Sequence, residues 1–186
     1  MNSGFDEKPK VIELRKNSAD LPVNLSGGRY LTDSYYEISV NRKQGSWQIE
    51  LFLAPLDKPL EKKYEGRLFE EQIEEPRVFA AILGRKQVGW IELGFQKWNN
   101  RMRVWELLVE EGFRRNGIGT ALMNRAIEVA SQKRARMLVL ETQSCDVAAI
   151  KFYLKQGFDL VGFDMAAYSN EDIKRKEIRL EFGLML

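Results

Sequence analysis

Residues 114–133 read RRNGIGTALMNRAIEVASQK, and this stretch decides the fold. Apolar side chains recur from Ile118 to Val129 at helical spacing, with charges on the opposite side, which predicts an amphipathic helix from Gly117 to about Lys133. The basic, glycine-containing loop 114–120 leads into it. The first turn of a helix has unpaired backbone N–H groups and a partial positive charge, and glycine lets an anion approach them. The loop therefore predicts a phosphate or pyrophosphate site. The alternative is a helix start that uses glycine only for a turn.

Known nucleotide loops fit this stretch poorly. It lacks the Gly-Lys-Ser/Thr end of a P-loop and the three spaced glycines of a dinucleotide fingerprint. Nucleoside triphosphates and NAD are therefore disfavoured as ligands.

Strands are predicted on both sides of this helix, and a second helix is predicted downstream. Upstream, Val78–Leu83 and Val88–Phe95 are predicted to form a β-hairpin through the turn 84–87, and Met102–Val109 adds a third antiparallel strand. Downstream, the pattern predicts a buried strand, a second helix followed by Gly157, and two closing strands; these are Met137–Leu140, Val147–Lys155, Phe158–Phe163 and Ile178–Met185.

The segments further upstream give weaker patterns. Trp47 to Leu53 alternate in polarity, which predicts a strand that ends at Pro55. Leu68, Phe69 and Ile73 lie at helical spacing within the charged segment 62–75, which predicts a short helix stopped by Pro76.

Composition limits the classes of function. A chain of 186 residues has the usual length of one domain, so 1–186 is expected to be a single domain. Its 29 basic and 27 acidic side chains nearly cancel, which disfavours nucleic acid as a partner. The sequence also has no signal-peptide core and no apolar run that could span a membrane, so we expect a cytoplasmic protein with no membrane partner.

Histidine is absent, and Cys145 is the only cysteine. A metal site of thiolates and imidazoles is therefore not expected, and neither is a nucleophile activated by histidine. Any acid or base must be Glu, Asp, Tyr, Lys or water. Cys145 has no activating base nearby in the sequence, so a covalent intermediate on this cysteine is not expected.

Two motifs in order resemble the GNAT acetyltransferases. The loop Arg114-Arg115-Asn116-Gly117-Ile118-Gly119 after Val109 is similar to the family's acyl-CoA pyrophosphate loop, Q/R-x-x-G-x-G/A. Ala149, Tyr153, Gly157 and Phe158 match its A-x-x-x-Y-x-x-x-G-F pattern. The resemblance covers about residues 77–165. It implies an α+β fold: a central mixed, mostly antiparallel sheet, flanked by helices and splayed where acetyl-CoA binds.

The resemblance can be narrowed to the streptothricin acetyltransferases. Short stretches similar to those enzymes are Trp47, Ala54-Pro55, Trp98-Asn99, Leu140-Glu141-Thr142-Gln143, Lys151-Phe152-Tyr153, and Asp164 with Tyr168 and Asn170. It implies acetyl transfer to a primary amine of a cationic antibiotic. A relative that acts on another amine would share most of these stretches.

The resemblance also implies roles for individual residues. The backbone N–H of Val109 would face the thioester oxygen, and Leu108 and Val109 would pair with the pantetheine amides. Tyr153 would be the general acid and part of the cofactor site; a tyrosine packed between helix and sheet is the alternative reading. The other implied cofactor residues are Arg114, Arg115, Asn116, Gly117, Ile118, Gly119, Thr120 and Asp146.

Glu106 is the candidate base. It lies on the same side of its strand as Leu108, and apolar neighbours would raise its pKa. It could equally hold a cationic substrate or face solvent. Glu141 is a second, weaker carboxylate, and Trp98, Asn99 and Tyr168 could wall the amine pocket because aromatic faces attract cations.

Three positions depart from the family pattern. Arg115 replaces a common glycine, Glu111 stands where proline is frequent, and Asp146 stands where asparagine is frequent. Asp146 can still cap the second helix, but it lacks an amide donor for the pantetheine.

Other functions stay open at this stage. The enzyme alternatives are an acetyltransferase of protein N-termini, lysines or polyamines, and the non-enzyme alternative is a CoA-binding module without turnover. The apolar end, Phe182 to Leu186, is a candidate contact for a homodimer.

Overall fold

Residues 7–16, 28–63 and 66–186 are described by the computed structural model of the chain. The fold is α+β, with a mixed sheet of seven strands flanked by helices, as expected. Two compact units can be distinguished, one made of Met1–Arg29, Lys63–Leu140 and Gly183–Leu186, the other of Tyr30–Lys62 and Glu141–Phe182. That residues 1–186 form one domain stays a prediction.

The first unit contains the antiparallel meander that the sequence predicts. Its strands follow the order β1-β4-β5-β6-β7 in the sheet. They are β1 (Lys10–Leu14), β4 (Arg77–Leu83), β5 (Lys86–Gln96), β6 (Arg101–Val109) and the first part of β7 (Met137–Gln143). On one face of the meander, Leu14, Val78, Ala80, Trp90 and Leu108 form a buried apolar cluster. The hairpin of β4 and β5 turns through Gly84, whose positive φ of 60° suits glycine.

Helix α1 (Ile118–Gln132) is the predicted amphipathic helix. Its apolar stripe is buried, including Leu122, Met123 and Ala126. Gly89 of β5 lets the first turns of the helix approach the sheet closely. A Cβ at this position would lie 3.1 Å from Ile118 Cγ2 and 3.2 Å from Leu122 Cδ1.

Strands β6 and β7 diverge after a short parallel ladder. The ladder joins Arg101, Met102 and Arg103 to Met137, Leu138 and Val139. Beyond these pairs, and among residues 7–16, 28–63 and 66–186, β6 runs on to Val109 with a ladder to β5 only. The far end of β6 therefore has one open edge, as expected for a sheet splayed at a cofactor site.

The predicted helix over residues 62–75 is wrong. Residues 62 and 63 belong to a strand, residue 66 forms an isolated bridge, and residues 67–76 form turns, bends and irregular backbone. Phe69 and Glu75 have positive φ values of 59° and 47°, which an α-helix does not allow. The apolar spacing has another cause, because Leu68 and Phe69 cover the apolar cluster of the meander while Ile73 packs over Gly94.

The second unit contains a long ribbon of two strands, β2 (Arg29–Lys43) and β3 (Ser46–Lys63). The predicted strand was placed correctly, but its end at Pro55 is wrong, because β3 continues through Pro55 and Pro59. In a two-stranded ribbon every second backbone N–H faces away from the partner strand. The two prolines are four residues apart, so both backbone nitrogens face the same edge of the ribbon. A strand tolerates proline where that edge carries no ladder hydrogen bond.

The rest of the second unit follows the predicted order. It comprises the end of β7, α2 (Val147–Lys155), β8 (Asp159–Asp164), a short helix α3 (Asp172–Arg175) that was not predicted, and the first part of β9 (Arg179–Met185); the strand order is β7-β9-β8. Gly157 follows α2 with a φ of 90°, as predicted for a glycine at a helix end. No helix among the described residues is long and apolar enough to cross a membrane.

Candidate active site

The loop before α1 is shaped by two left-handed residues. Arg115 has a φ of 63° and Gly117 a φ of 77°. The Asn116 amide donates to the carbonyl oxygens of Phe113 and Arg114, at 3.3 and 3.2 Å. Arg115 stands where the related loops commonly have glycine, and its positive φ gives the physical reason for that preference.

The start of α1 is open to an anion. Gly117 caps the helix without any side-chain hydrogen bond, and the first intrahelical bond runs from Ala121 N–H to Gly117 O at 2.9 Å. The N–H groups of Ile118 and Gly119, in the first turn, have no helical carbonyl to pair with. Because the Ile118 side chain is buried, only its backbone can contribute to a site. This geometry fits a pyrophosphate.

Arg114 ties the loop to the end of β6. Its Nε donates to Val109 O at 3.1 Å and its Nη1 donates to Arg29 O at 2.8 Å. Arg29 also forms an ion pair with Glu111 at 2.8 Å. The guanidinium of Arg114 thus holds the loop in place, a role that the sequence alone did not show.

A cavity of about 310 Å³ lies at this junction. Its lining comes from the end of β6, the following turn, and Gly28 with the first residue of β2; the residues are Gly28, Arg29, Leu108, Val109, Glu110, Glu111, Gly112 and Arg114. The cavity therefore joins the open end of β6 to the basic loop.

Val109 has its backbone directed toward the open edge of β6. Glu110 N–H donates to Val88 O of β5 at 2.9 Å, and Val109 lies opposite Gly89. Backbone groups alternate in direction along a strand, so the N–H of Val109 points away from β5 and that of Leu108 points toward it. This register agrees with the expected role of Val109, which stays a prediction, and it does not favour pairing of Leu108 with pantetheine.

Glu106 faces a second carboxylate, Glu92, directly across the ladder of β5 and β6. Burial, followed by the negative charges of Glu92 and Glu70, raises the pKa of Glu106 to about 7. The expected upward shift of the pKa of Glu106 is therefore confirmed, but neighbouring carboxylates contribute to it as well as burial. The role of Glu106 as base or as substrate anchor stays a prediction.

The structure does not bring Trp98 and Asn99 to this end of the site. They lie in a short 3-10 helix, Lys97–Asn99, just before β6 begins. Val109 is eight residues further along the strand than Arg101, or about 26 Å at the usual rise of a strand. Trp98 is 82% exposed, and the backbone oxygen of Asn99 accepts from Arg136 Nε at 2.8 Å. Both residues therefore belong to the turn between strands rather than to an amine pocket next to Val109.

In the second unit, Tyr153 is buried in an aromatic cluster. Its ring centroid lies 5.5 Å from that of Phe152, 6.2 Å from Phe158 and 6.3 Å from Phe182. This environment fixes the direction of the ring. It is equally the environment of a packed core tyrosine, so the acid role stays a prediction. Phe182 is buried here, whereas Met185 and Leu186 are exposed, and the proposed dimer contact also stays a prediction.

Asp146 caps α2 as expected. One carboxylate oxygen accepts from Ala149 N–H at 3.0 Å. A carboxylate used in this way cannot supply the donor that an asparagine amide would give. Its predicted contact with the cofactor is not supported by this geometry.

Glu141 and Tyr168, two predicted substrate residues, do lie together. The Tyr168 hydroxyl is 3.5 Å from Glu141 Oε1, and Arg179 Nη1 is 3.7 Å from Glu141 Oε2. Burial, and then the charge of Glu141, raises the pKa of Tyr168 above its ordinary value.

Sequence reasoning missed Glu92. It is a single acid within the apolar run of β5, and only the register of the hairpin and the third strand shows that it faces Glu106. A buried carboxylate in such a run is uncommon, and that signal could have selected it. No cluster of three or more acidic, cysteine or histidine side chains that could hold a metal ion occurs within residues 7–16, 28–63 and 66–186.

Comparisons with known proteins agree with the geometry. The model of the acetyltransferase (GNAT) family matches residues 35–158. Streptothricin acetyltransferase A of Bacillus subtilis (strain 168) is 33% identical over 116 residues, which is 61% of this chain and 66% of that protein. The streptothricin acetyltransferase of Streptomyces lavendulae is 29% identical over 149 residues, covering 76% of this chain and 77% of the relative. The match thus spans about two thirds to three quarters of these relatives.

Solved structures give the same picture. A Bacillus anthracis str. Ames protein assigned as a streptothricin acetyltransferase, solved in complex with acetyl coenzyme A, superposes with a TM-score of 0.77 at 25% identity, covering 96% of this chain and 98% of the other. Nourseothricin acetyltransferase superposes with a TM-score of 0.76 at 26% identity, over 95% and 98% of the two chains.

Proposed function

Because the chain belongs to the acetyltransferase (GNAT) family, we propose that it transfers an acetyl group from acetyl-CoA to a primary amine of a small cationic substrate, of the streptothricin type. One observation carries the proposal. The uncapped start of α1, preceded by the left-handed residues Arg115 and Gly117, follows directly on the end of β6 that has an open edge.

The loop and the strand divide the binding of acetyl-CoA between them. The backbone N–H groups at the start of α1 hold the pyrophosphate, and the N–H of Val109 donates toward the thioester oxygen. Acetyl-CoA supplies an activated acetyl group, which leaves free thiol when it is transferred. Arg114 keeps the loop and Val109 in one arrangement through its bond to Val109 O.

The reaction needs three proton transfers, two from the nitrogen of the acceptor and one to the sulfur of CoA. Glu106 accepts one proton from the ammonium group of the acceptor, so that the nitrogen gains a free lone pair for attack on the acetyl carbonyl carbon. The nitrogen releases its second proton to solvent as the amide forms. As the carbon–sulfur bond breaks, Tyr153 donates a proton to the departing sulfur and recovers one from solvent. The net products are an amide, free CoA and one proton. A carboxylate whose pKa is about 7 is suited to the first step near neutral pH.

The charges near the proposed base favour a cationic acceptor. The charge of Glu70 raises the pKa of both Glu92 and Glu106, and the charge of Glu92 raises that of Glu106, so the three acids form one region of negative potential in the first unit. Similarity to two streptothricin acetyltransferases supports an antibiotic amine as the acceptor.

A second acceptor class has one observation in its favour. N-alpha-acetyltransferase 30 of Homo sapiens is 35% identical over 83 residues, although these are 43% of this chain and 23% of that protein. An N-terminal peptide is therefore the main alternative acceptor.

The test is release of free thiol from acetyl-CoA with streptothricin, a polyamine, an aminoglycoside and an N-terminal peptide as acceptors. We expect release with streptothricin, and the Glu106→Gln variant should lose about 100-fold or more in turnover while CoA affinity is kept. Glu128→Gln, which removes an exposed acid of α1, is the matched control and should keep the wild-type rate. Full turnover by Glu106→Gln would remove the base from the proposal.

A further inference from the structure

Glu92 and Glu106 occupy directly opposed positions on β5 and β6. The ladder runs regularly from Gly89–Val109 through Trp90–Leu108 to Glu92–Glu106, and it shifts only beyond Glu92, where Leu93 pairs with Val104. Directly opposed side chains lie on the same face of a sheet, with Cβ atoms about 5 Å apart. The two carboxylates therefore face each other on the side that carries Trp90 and Leu108.

The two members of the pair differ in their access to solvent. Glu92 has no exposed surface, whereas Glu106 is half-buried. Glu92 Oε1 accepts from Phe69 N–H at 2.7 Å. Its second oxygen, Oε2, is buried and has no hydrogen-bond partner among the residues that the structure describes. A buried carboxylate oxygen without a donor is costly, and it needs either a proton or a donor that the free protein does not show.

The charges around Glu92 and Glu106 are mostly negative. Glu70, from the loop that covers this face, raises the pKa of both carboxyls, and Lys16 lowers that of Glu92. The other cover is apolar, from Leu68 and Phe69. Burial, the largest cause, raises the pKa of each carboxyl to about 7.

We infer that Glu92 is a positioning residue of the proposed reaction, whose carboxyl group shares one proton with Glu106 and so sets the pH at which Glu106 accepts the proton of the acceptor amine. The inference rests on the proposed function, in which Glu106 is the base. Glu92 is fully buried, so it cannot reach the substrate itself and acts only through Glu106.

The shared proton has a clear consequence for titration. Two carboxylates that face each other cannot both ionise at low cost, so the second proton leaves at a higher pH than it would from one carboxyl alone. When Glu92 is replaced by an uncharged isostere, Glu106 should ionise at lower pH, because only burial and Glu70 still oppose its charge.

The first experiment is the pH profile of kcat/KM for the wild type and for Glu92→Gln, with acetyl-CoA and streptothricin. We expect the acid limb of the profile to move to lower pH by on the order of one pH unit in Glu92→Gln. Glu92→Asp keeps the charge and should return the limb toward its wild-type position, while Glu128→Gln should leave it unchanged. A purely structural role of Glu92 would lower the rate or the stability without moving the limb, and that result would overturn the inference.

The second experiment needs no turnover. Glutamates labelled with ¹³C at the side-chain carboxyl are titrated by NMR in the wild type, in Glu92→Gln and in Glu106→Gln. We expect each single variant to lower the titration midpoint of the remaining member of the pair. Unchanged midpoints would overturn the inference even if Glu92→Gln folded poorly, because Glu106→Gln alters the less buried partner.

The two experiments separate the two hypotheses. If Glu106→Gln keeps full turnover but the midpoints shift, the proton is shared and the proposed base is wrong. If Glu106→Gln abolishes turnover but neither the profile nor the midpoints respond to Glu92→Gln, the base stands and the role of Glu92 is wrong.

Discussion

Gly117→Ala tests whether the backbone of the loop before α1 binds the cofactor. Gly117 has a φ of 77°, and a Cβ there would meet nothing within 4 Å, so the substitution adds strain but no clash. A side chain in this conformation costs about 1–2 kcal/mol. If bound CoA requires the conformation and the free loop can relax, the strain appears in binding as a loss of about 5–30-fold in affinity.

The matched control is Gly84→Ala. Gly84 has a φ of 60° and also has nothing within 4 Å of an added Cβ, but it lies in the turn between β4 and β5. The strain in Gly84→Ala should lower Tm by about 2–4 °C per kcal/mol while CoA affinity stays at the wild-type value. Calorimetric titration with CoA and thermal unfolding of both variants give the comparison. Equal CoA affinity in Gly117→Ala and wild type would refute the role assigned to this backbone.

Three further predictions concern other parts of the chain. Tyr153→Phe keeps the ring contacts of the aromatic cluster, so we expect CoA affinity to be retained and turnover to fall about 100-fold in steady-state kinetics; an unchanged rate would show that Tyr153 is a core residue only. Asp146→Ala removes the cap of α2 and should cost about 1 kcal/mol in denaturant unfolding, whereas Asp146→Asn should cost much less. The raised pKa of Glu92 means that the folded state binds an extra proton between about pH 4.5 and 7, so the free energy of unfolding should fall as pH rises through this range. In Glu92→Gln the free energy of unfolding should depend less on pH, and an equally steep dependence would contradict the prediction.

Elements whose apolar residues recur at a regular spacing were predictable from the sequence. The apolar stripe of α1 and the glycine after α2 predict both helices to within one residue of their observed bounds. Apolar residues that recur every 3.6 residues lie on a single face only in a helix, so few other structures fit the pattern. The hairpin of β4 and β5 was equally clear, since two apolar runs flank a short turn.

Segments whose side chains pack against a distant part of the chain were not predictable from the sequence. The apolar residues at 68, 69 and 73 have helical spacing, yet two cover the meander and one packs over Gly94. Their spacing reflects contacts across the chain rather than a helix. Similarly, the ribbon of β2 and β3 continues past Pro55 because a free edge tolerates proline, and sequence alone does not show which edges are free.

The candidate site likewise has one part that the sequence predicts and one part that it does not. The loop from Arg114 to Thr120 is one continuous segment whose conformation depends on adjacent residues, so its anion site could be predicted from the sequence. The pairing of Glu92 with Glu106 depends on register between two strands. Trp105 is the extra residue where that register shifts, and a shift of this kind cannot be read from alternation.

Transfer of an acetyl group to a cationic amine is most directly tested by identifying the product. Purified protein is incubated with acetyl-CoA and streptothricin, and free thiol and acetylated streptothricin are quantified together by absorbance and mass spectrometry. We predict one acetyl group per modified antibiotic molecule, formed in equal amount to the thiol, and formed about 100-fold or more slowly by Glu106→Gln. Binding of CoA without thiol release, across streptothricin and the other amines tested, would contradict the account.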